Sequence, residues 1–128
     1  MPEGDTVWRT AQRLNQALAG APIVLSDLRF PAVATVDLRG SSTIEVVSRG
    51  KHVLHRLDSG LTVHSHLRME GQWLVEPADQ SAGWLRRHDL RAAVGTDTWT
   101  ALGLRLGLLE VLPSEREDEV VGHLGPDL

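Results

Sequence analysis

The chain opens Met1-Pro2-Glu3-Gly4, and the chemistry available there depends on one proteolytic step. With Met1 removed, the terminus is a secondary amine followed by a carboxylate. An α-amino group titrates near ~7.7–8.0, well below a lysine side chain, so it is partly uncharged and nucleophilic at neutral pH. An iminium formed on the proline nitrogen is permanently cationic, the electron sink that amine-based covalent catalysis uses. The adjacent Glu3 can carry protons for such a reaction. The same residues also suit a structural role, with Pro2 in a first helical turn and Glu3 complementing the helix dipole.

A second candidate is Lys51, the sole lysine among thirteen basic side chains. Lysine and arginine differ in shape and proton affinity, so a chain that otherwise uses arginine points to a need for lysine here. A solubilising turn residue is the alternative. Around it lie Arg49, Arg56 and Arg68 with His52, His55, His64 and His66, opposed within that stretch only by Asp58; Arg86, Arg87, His88 and Arg91 form a second group. A local basic surface on a chain of net charge −4 can still meet a phosphate backbone, and a solvated strand face gives the same pattern. Histidines 64 and 66, two apart on a strand, share a face and with His52 or His55 suggest a zinc site; exposed or phosphate-facing histidines are the expected reading, and no metal is assigned.

These residues need elements to position them. Val7, Ala11, Leu14 and Leu18 recur at helical spacing, predicting a helix over Glu3–Ala19 stopped by Gly20 and Pro22. Its positive end would face the Pro2 nitrogen and disfavour the ammonium form. Short β-type runs follow: 23–30, 43–48, 52–57, 61–66, 72–75, 89–94, 98–102 and 108–112, separated by breakers such as Asp58-Ser59-Gly60. Ser114-Glu115-Arg116-Glu117 has the form of a capping box and predicts a short helix to about Val121. The expected fold is mainly β with flanking helices: a two-layer β-sandwich, a long amino-terminal helix and a short carboxy-terminal one. With 128 residues, 41% hydrophobic and 23% charged, the chain fits one soluble domain. It has no cysteine, which excludes disulfides and thiol catalysis within it, and no apolar run long enough for a membrane span or signal segment.

Taken together and in order, Pro2-Glu3-Gly4, Arg49-Gly50-Lys51, the run from Ser65 to Gly71, and Leu124-Gly125-Pro126-Asp127 resemble the amino-terminal domain of the formamidopyrimidine-DNA glycosylase/endonuclease VIII family over all 128 residues. The resemblance implies a base-excision-repair DNA glycosylase and abasic-site lyase. Pro2 would attack the deoxyribose C1′, Glu3 would move protons at the sugar, and Lys51 would meet the lesion's phosphate and aid the proton transfers. Arg49, Lys51, His66, Arg68 and Met69 would contact DNA, with Met69 as the wedge that fills the place of the displaced base. Glu70 beside it has no evident role. Formamidopyrimidine glycosylases carry an arginine- and phenylalanine-containing run where this chain has Leu104-Arg105-Leu106-Gly107, which favours the endonuclease VIII branch and oxidised pyrimidines. The run Ser48–His52 and the opening heptad resemble actinobacterial proteins of that type.

The same resemblance implies residues 1–123 as the catalytic domain, 124–128 as the start of a linker, and a helix–two-turn–helix and zinc-finger domain beyond it. No cofactor is expected in this chain, zinc belonging to that further domain. The expected partner is damaged double-stranded DNA, the expected state a monomer and the expected location the bacterial cytoplasm, with the nucleoid. A non-catalytic or weakly binding DNA module is the alternative if Met1 is retained or the second domain is required. Tautomerases share only the terminal proline.

Overall fold

The structure, a computed structural model, describes residues 3–117, with the side chains of residues 3–5 outside the description. Helix α1 spans Glu3–Leu18. Eight strands follow: β1 Leu25–Leu28, β2 Thr43–Arg49, β3 His52–Leu57, β4 Leu61–His66, β5 Gln72–Pro77, β6 Leu90–Gly95, β7 Trp99–Leu104 and β8 Leu108–Pro113. They form two four-stranded antiparallel sheets, ordered β1-β6-β7-β5 and β2-β3-β4-β8. The expected β-rich two-layer architecture is the observed one.

Strand alternation explains the two layers. Val53, Val63 and Leu109 turn inward from one sheet, and Trp73, Ala92, Val94 and Ala101 from the other, into one apolar core. Small residues in β6 and β7 leave room for the indole: a Cβ at Gly103 would press on the Trp73 ring. That ring is fixed across the core by Trp73 Nε1–H donating to Ser65 Oγ at 3.1 Å. Helix α1 buries Val7, Ala11, Leu14 and Leu18, the stripe its sequence announces. It lies along β2, where Val46 N–H donates to Asn15 Oδ1 at 2.8 Å and thereby satisfies a donor of an edge strand. Gly20, at φ 83°, ends the helix in the left-handed conformation a side chain disfavours. The outer face of the β6–β7 pair buries Leu90, Ala93, Leu102 and Leu104 under Trp84 and Leu85 of the connection after β5.

Two expectations are corrected. The short carboxy-terminal helix is, within the described residues, a single 3₁₀ turn at Ser114–Arg116, and residues 118–121 lie outside the description. The capping box does not form because its side chains face the sheet instead. Ser114 Oγ lies 2.8 Å from Thr62 Oγ1. Glu117 accepts from Thr62 Oγ1 at 2.6 Å and from Arg56 Nε and Nη2 at 3.0 and 2.8 Å. Chiefly through Arg56, its carboxyl is held below the usual range. The first strand is also shorter than 23–30, since Pro31 opens a 3₁₀ turn after Phe30. Among the described residues no helix is long and apolar enough to cross a membrane.

His55 is buried and paired with Thr43, Nε2 to Oγ1 at 2.7 Å, so it is neither exposed nor phosphate-facing as expected of the strand histidines. Burial pushes its imidazole from 6.5 down to about 4. The unfolded chain therefore binds a proton that the folded chain refuses. The associated stability is complete above ~6.5 and declines as pH falls towards 4, by roughly 3 kcal/mol in total for that shift. Urea unfolding of wild type should show this loss between pH 6.5 and 4. In His55→Gln, less stable at neutral pH, the decline over that window should be largely absent.

Candidate functional site

Lys51 sits at the apex of the β2–β3 turn, behind Gly50 at φ 58°. Antiparallel pairing aligns His52 with His66, so this turn and the chain leaving β4 emerge side by side. Leu67 N–H reaches back to the Lys51 carbonyl at 3.5 Å, a long contact. The following loop is tightly wound. Arg68 adopts φ 56°, and Gly71 N–H donates to Leu67 O at 2.9 Å. A Cβ at Gly71 would overlap that same carbonyl, so only glycine closes this turn. Met69, at the loop's tip, is 91% exposed.

The β7–β8 connection supports the loop from below. Gly107 N–H donates to His66 O at 2.9 Å, and the aliphatic stem of Arg68 lies where a Gly107 Cβ would be. Arg105, also left-handed at φ 53°, is tied to Asp89 by its amide at 2.9 Å and its guanidinium at 3.4 Å. The stretch from Leu104 to Gly107, noted in the sequence for what it lacks, is thus the seat of the Arg68–Met69 loop.

A cavity of about 230 Å³ joins these parts. Thr6 and Val7 of α1 line it together with Lys51, Leu67, Arg68, Met69 and Gly71. The amino-terminal end of the helix therefore opens onto the space that holds Lys51. Pro2 lies outside the described residues, as does the side chain of Glu3. A roomier groove, about 410 Å³ between α1 and β2 with Trp8 and Ile44 on its walls, shares none of these residues.

His66 has a defined protonation state. Its Nδ1 accepts the Arg68 backbone N–H at 3.0 Å, so the neutral ring carries its proton on Nε2 and presents a donor. Burial, then Arg68 and Lys51, hold this imidazole below its ordinary value. It acts as a neutral donor beside two cations. His64 differs from the expectation of an exposed or phosphate-facing ring. His64 is 0% exposed, bonded by Nδ1 to Glu110 Oε1 at 2.8 Å and by Nε2 to His52 Nδ1 at 2.7 Å. Among the described residues no three His, Asp or Glu side chains are grouped to hold a metal ion. Arg56, read in the sequence as part of the basic surface, is bound by Glu45 and Glu117. Arg87 is bound by Asp89. The sequence carried no signal for the Glu110–His64–His52 chain, because Glu110 is far from both histidines along the chain.

A helix end, a lysine turn and an apolar residue on a tightly wound loop thus meet on one rim of an antiparallel β-sandwich domain. Residues 1–103 match the formamidopyrimidine-DNA glycosylase N-terminal domain, and the chain belongs to that family. It is 52% identical over its whole length to a probable endonuclease 8 of Streptomyces coelicolor, covering 46% of that protein. It is 44% identical, again over its whole length, to a DNA-(apurinic or apyrimidinic site) lyase of Mycolicibacterium smegmatis, covering 48% of it. The chain thus spans about half the length of the curated relatives it matches. In fold it is similar to the Lactococcus lactis formamidopyrimidine-DNA glycosylase non-covalently bound to abasic-site DNA, with TM-score 0.72, 20% identity, and coverage of 96% of this chain and 47% of that one. Recognition from the scattered motifs, including the likeness to actinobacterial endonuclease 8 proteins, is borne out.

The loop geometry separates shape from chemistry. Met69→Ala should leave folding stability within about 0.5 kcal/mol, since its side chain is in solvent. Gly71→Ala should cost roughly 1–3 kcal/mol, because the added methyl meets backbone that cannot yield. Paired urea unfolding curves at pH 7.5 compare the two.

Proposed function

We propose that this chain is the catalytic amino-terminal domain of a bifunctional DNA glycosylase and abasic-site lyase acting on damaged double-stranded DNA. What carries the reading is the cavity shared by the first turns of α1, Lys51, Arg68 and Met69 in a chain of this family. After loss of Met1, the Pro2 amine attacks C1′ of the damaged nucleotide, and the base departs with the bonding electron pair and a proton. Glu3 protonates the ring oxygen as the sugar opens to an iminium. Removal of a C2′ proton then expels the 3′ phosphate by elimination, and water releases the enzyme. Lys51 holds the neighbouring phosphate and lowers the proton affinity of the amine by its charge.

Arg49, Arg68 and the Nε2–H of His66 grip the backbone, while Met69 enters the base stack. The absence of an aromatic residue and a second arginine between Leu104 and Gly107 supports oxidised pyrimidines as substrates. The scheme uses no cofactor within this chain, and zinc would belong to a further domain. The protein works as a cytoplasmic, nucleoid-associated monomer. The names of its relatives, endonuclease 8 and an abasic-site lyase, support the enzyme class. A DNA-binding module without catalysis is the second reading, favoured if Met1 persists, since an acylated proline nitrogen has no lone pair to give.

Intact mass and borohydride trapping on an abasic-site duplex decide between them. A chain lacking Met1 should give a covalent protein–DNA band. Blocking the terminal amine should abolish the band, and Lys51→Ala should reduce its rate by roughly 10²-fold. A processed terminus with no trapping would count against catalysis by this chain.

A further inference from the structure

Sulfur chemistry in this chain comes down to one atom. There is no cysteine, and of the two methionines Met1 is absent from the processed form, which leaves the Met69 thioether. Among the described residues Met69 is also the most exposed of the large apolar side chains, at 91% against 59% for Ile44 and 51% for Trp8. A methionine in a core is shielded from solutes, and its oxidation there disrupts packing. Neither holds at the tip of this loop. An oxidant meets Met69 much as it would meet free methionine.

The loop beneath does not depend on the side chain it carries. Arg68 is left-handed at φ 56°, Gly71 N–H donates to Leu67 O at 2.9 Å, and the Arg68 stem rests over Gly107. A change at the Met69 sulfur therefore leaves the fold and the loop in place. It is felt only by what the side chain enters. The wedge role asks apolarity of this residue. A sulfoxide replaces the thioether by a strong dipole with an acceptor oxygen, and stacked base faces offer that oxygen no donor. Arg68, its neighbour in the chain and in the lining of the cavity, does offer donors, so the oxidised side chain is better served on the protein than in the stack.

We propose that Met69 is a site of reversible sulfoxidation, and that the modification withdraws the wedge from DNA. A hydroperoxide supplies the oxygen. The sulfur lone pair attacks it, an S–O bond forms as the O–O bond breaks, the sulfur gives up two electrons, and the remainder leaves as water or an alcohol. Methionine sulfoxide reductases reverse the step: the S–O bond breaks, two thiols become a disulfide, and the oxygen leaves as water. The proposal rests on the glycosylase/lyase reading, in which Met69 is the wedge. Oxidised bases and oxidised Met69 would then share one cause, and an enzyme that cuts the strand at each lesion would slow as lesions crowd together.

Two measurements on the full chain lacking Met1 separate the proposal from that reading. Dilute hydrogen peroxide should add one oxygen atom to the intact mass, located at Met69 by peptide mapping, at a rate within about twofold of N-acetylmethionine amide. Oxidation slower by about tenfold or more overturns the proposal whatever the activity. In single-turnover borohydride trapping on an abasic-site duplex at subsaturating protein, the oxidised chain should react about tenfold more slowly than before treatment. Methionine sulfoxide reductases with dithiothreitol should restore the rate. Met69→Leu should trap equally fast before and after peroxide, whatever its starting rate. An unchanged rate in the oxidised wild type overturns the proposal, as does a rate the reductases fail to restore. An equal loss in treated Met69→Leu also overturns it, because the damage would then lie elsewhere. Wild-type protein that oxidises as expected but never traps overturns the glycosylase reading and the switch with it.

Discussion

The pairing of His52 with His66 is the constraint from which the rest of the site follows. Antiparallel strands joined by tight turns alternate the ends at which their connections emerge, so this one register places the Lys51 turn and the Leu67–Gly71 loop on the same rim. A slip of one residue would turn Lys51's neighbours to the opposite face and put His64 into the apolar core. The slip is prevented on both sides of β4. Val63 must face the core, and Gly107 must reach the His66 carbonyl from the β7–β8 connection. The site is therefore held by the sandwich, although its residues lie on turns, on strand ends and in the first turns of α1.

Charge placement resolves the conflict between an acidic chain and the anionic partner proposed for it. Arg29, Arg39, Arg56 and Arg87 are each bound by a carboxylate within 2.8 Å. Such pairs add little stability where they are exposed, but they cancel field away from the rim. At the rim, burial first and then the charges of Arg68 and Lys51 lower the proton affinity of His66. A focused cationic corner on a molecule of net charge −4 favours orientation over indiscriminate adhesion to nucleic acid.

Much of this was legible in the sequence. Periodicity located all eight strands, with 52–57 and 61–66 matching to the residue, because hydrophobic alternation and the Asp58-Ser59-Gly60 turn leave little freedom there. The helix was equally clear. The histidines were not. Their expected exposure rested on their polarity, whereas His55 and His64 are buried with partners that only the sheet register brings near. The Ser114–Glu117 motif misled for the same reason: its capping residues found tertiary partners in Thr62 and Arg56. Local patterns predicted elements well, but they could not predict which polar side chains meet across strands.

Met69 shows how such a rim can be prepared for work. A thioether side chain 91% exposed gains nothing in the folded protein, yet the backbone beneath it is specified by left-handed Arg68, by Gly71 and by the Arg68 stem seated on Gly107. The ordering of this loop is thus completed during folding rather than at the proposed encounter with DNA. In the proposed reaction, burying the side chain between bases would return on the order of 1.5–3 kcal/mol of apolar transfer energy. Opening a base step costs a few kcal/mol, so the two are of similar size. An undamaged, well-stacked pair would resist such a wedge, while a lesion that has already weakened its step would admit it. Selectivity would then begin with the mechanical state of the duplex, before any contact with the damaged base.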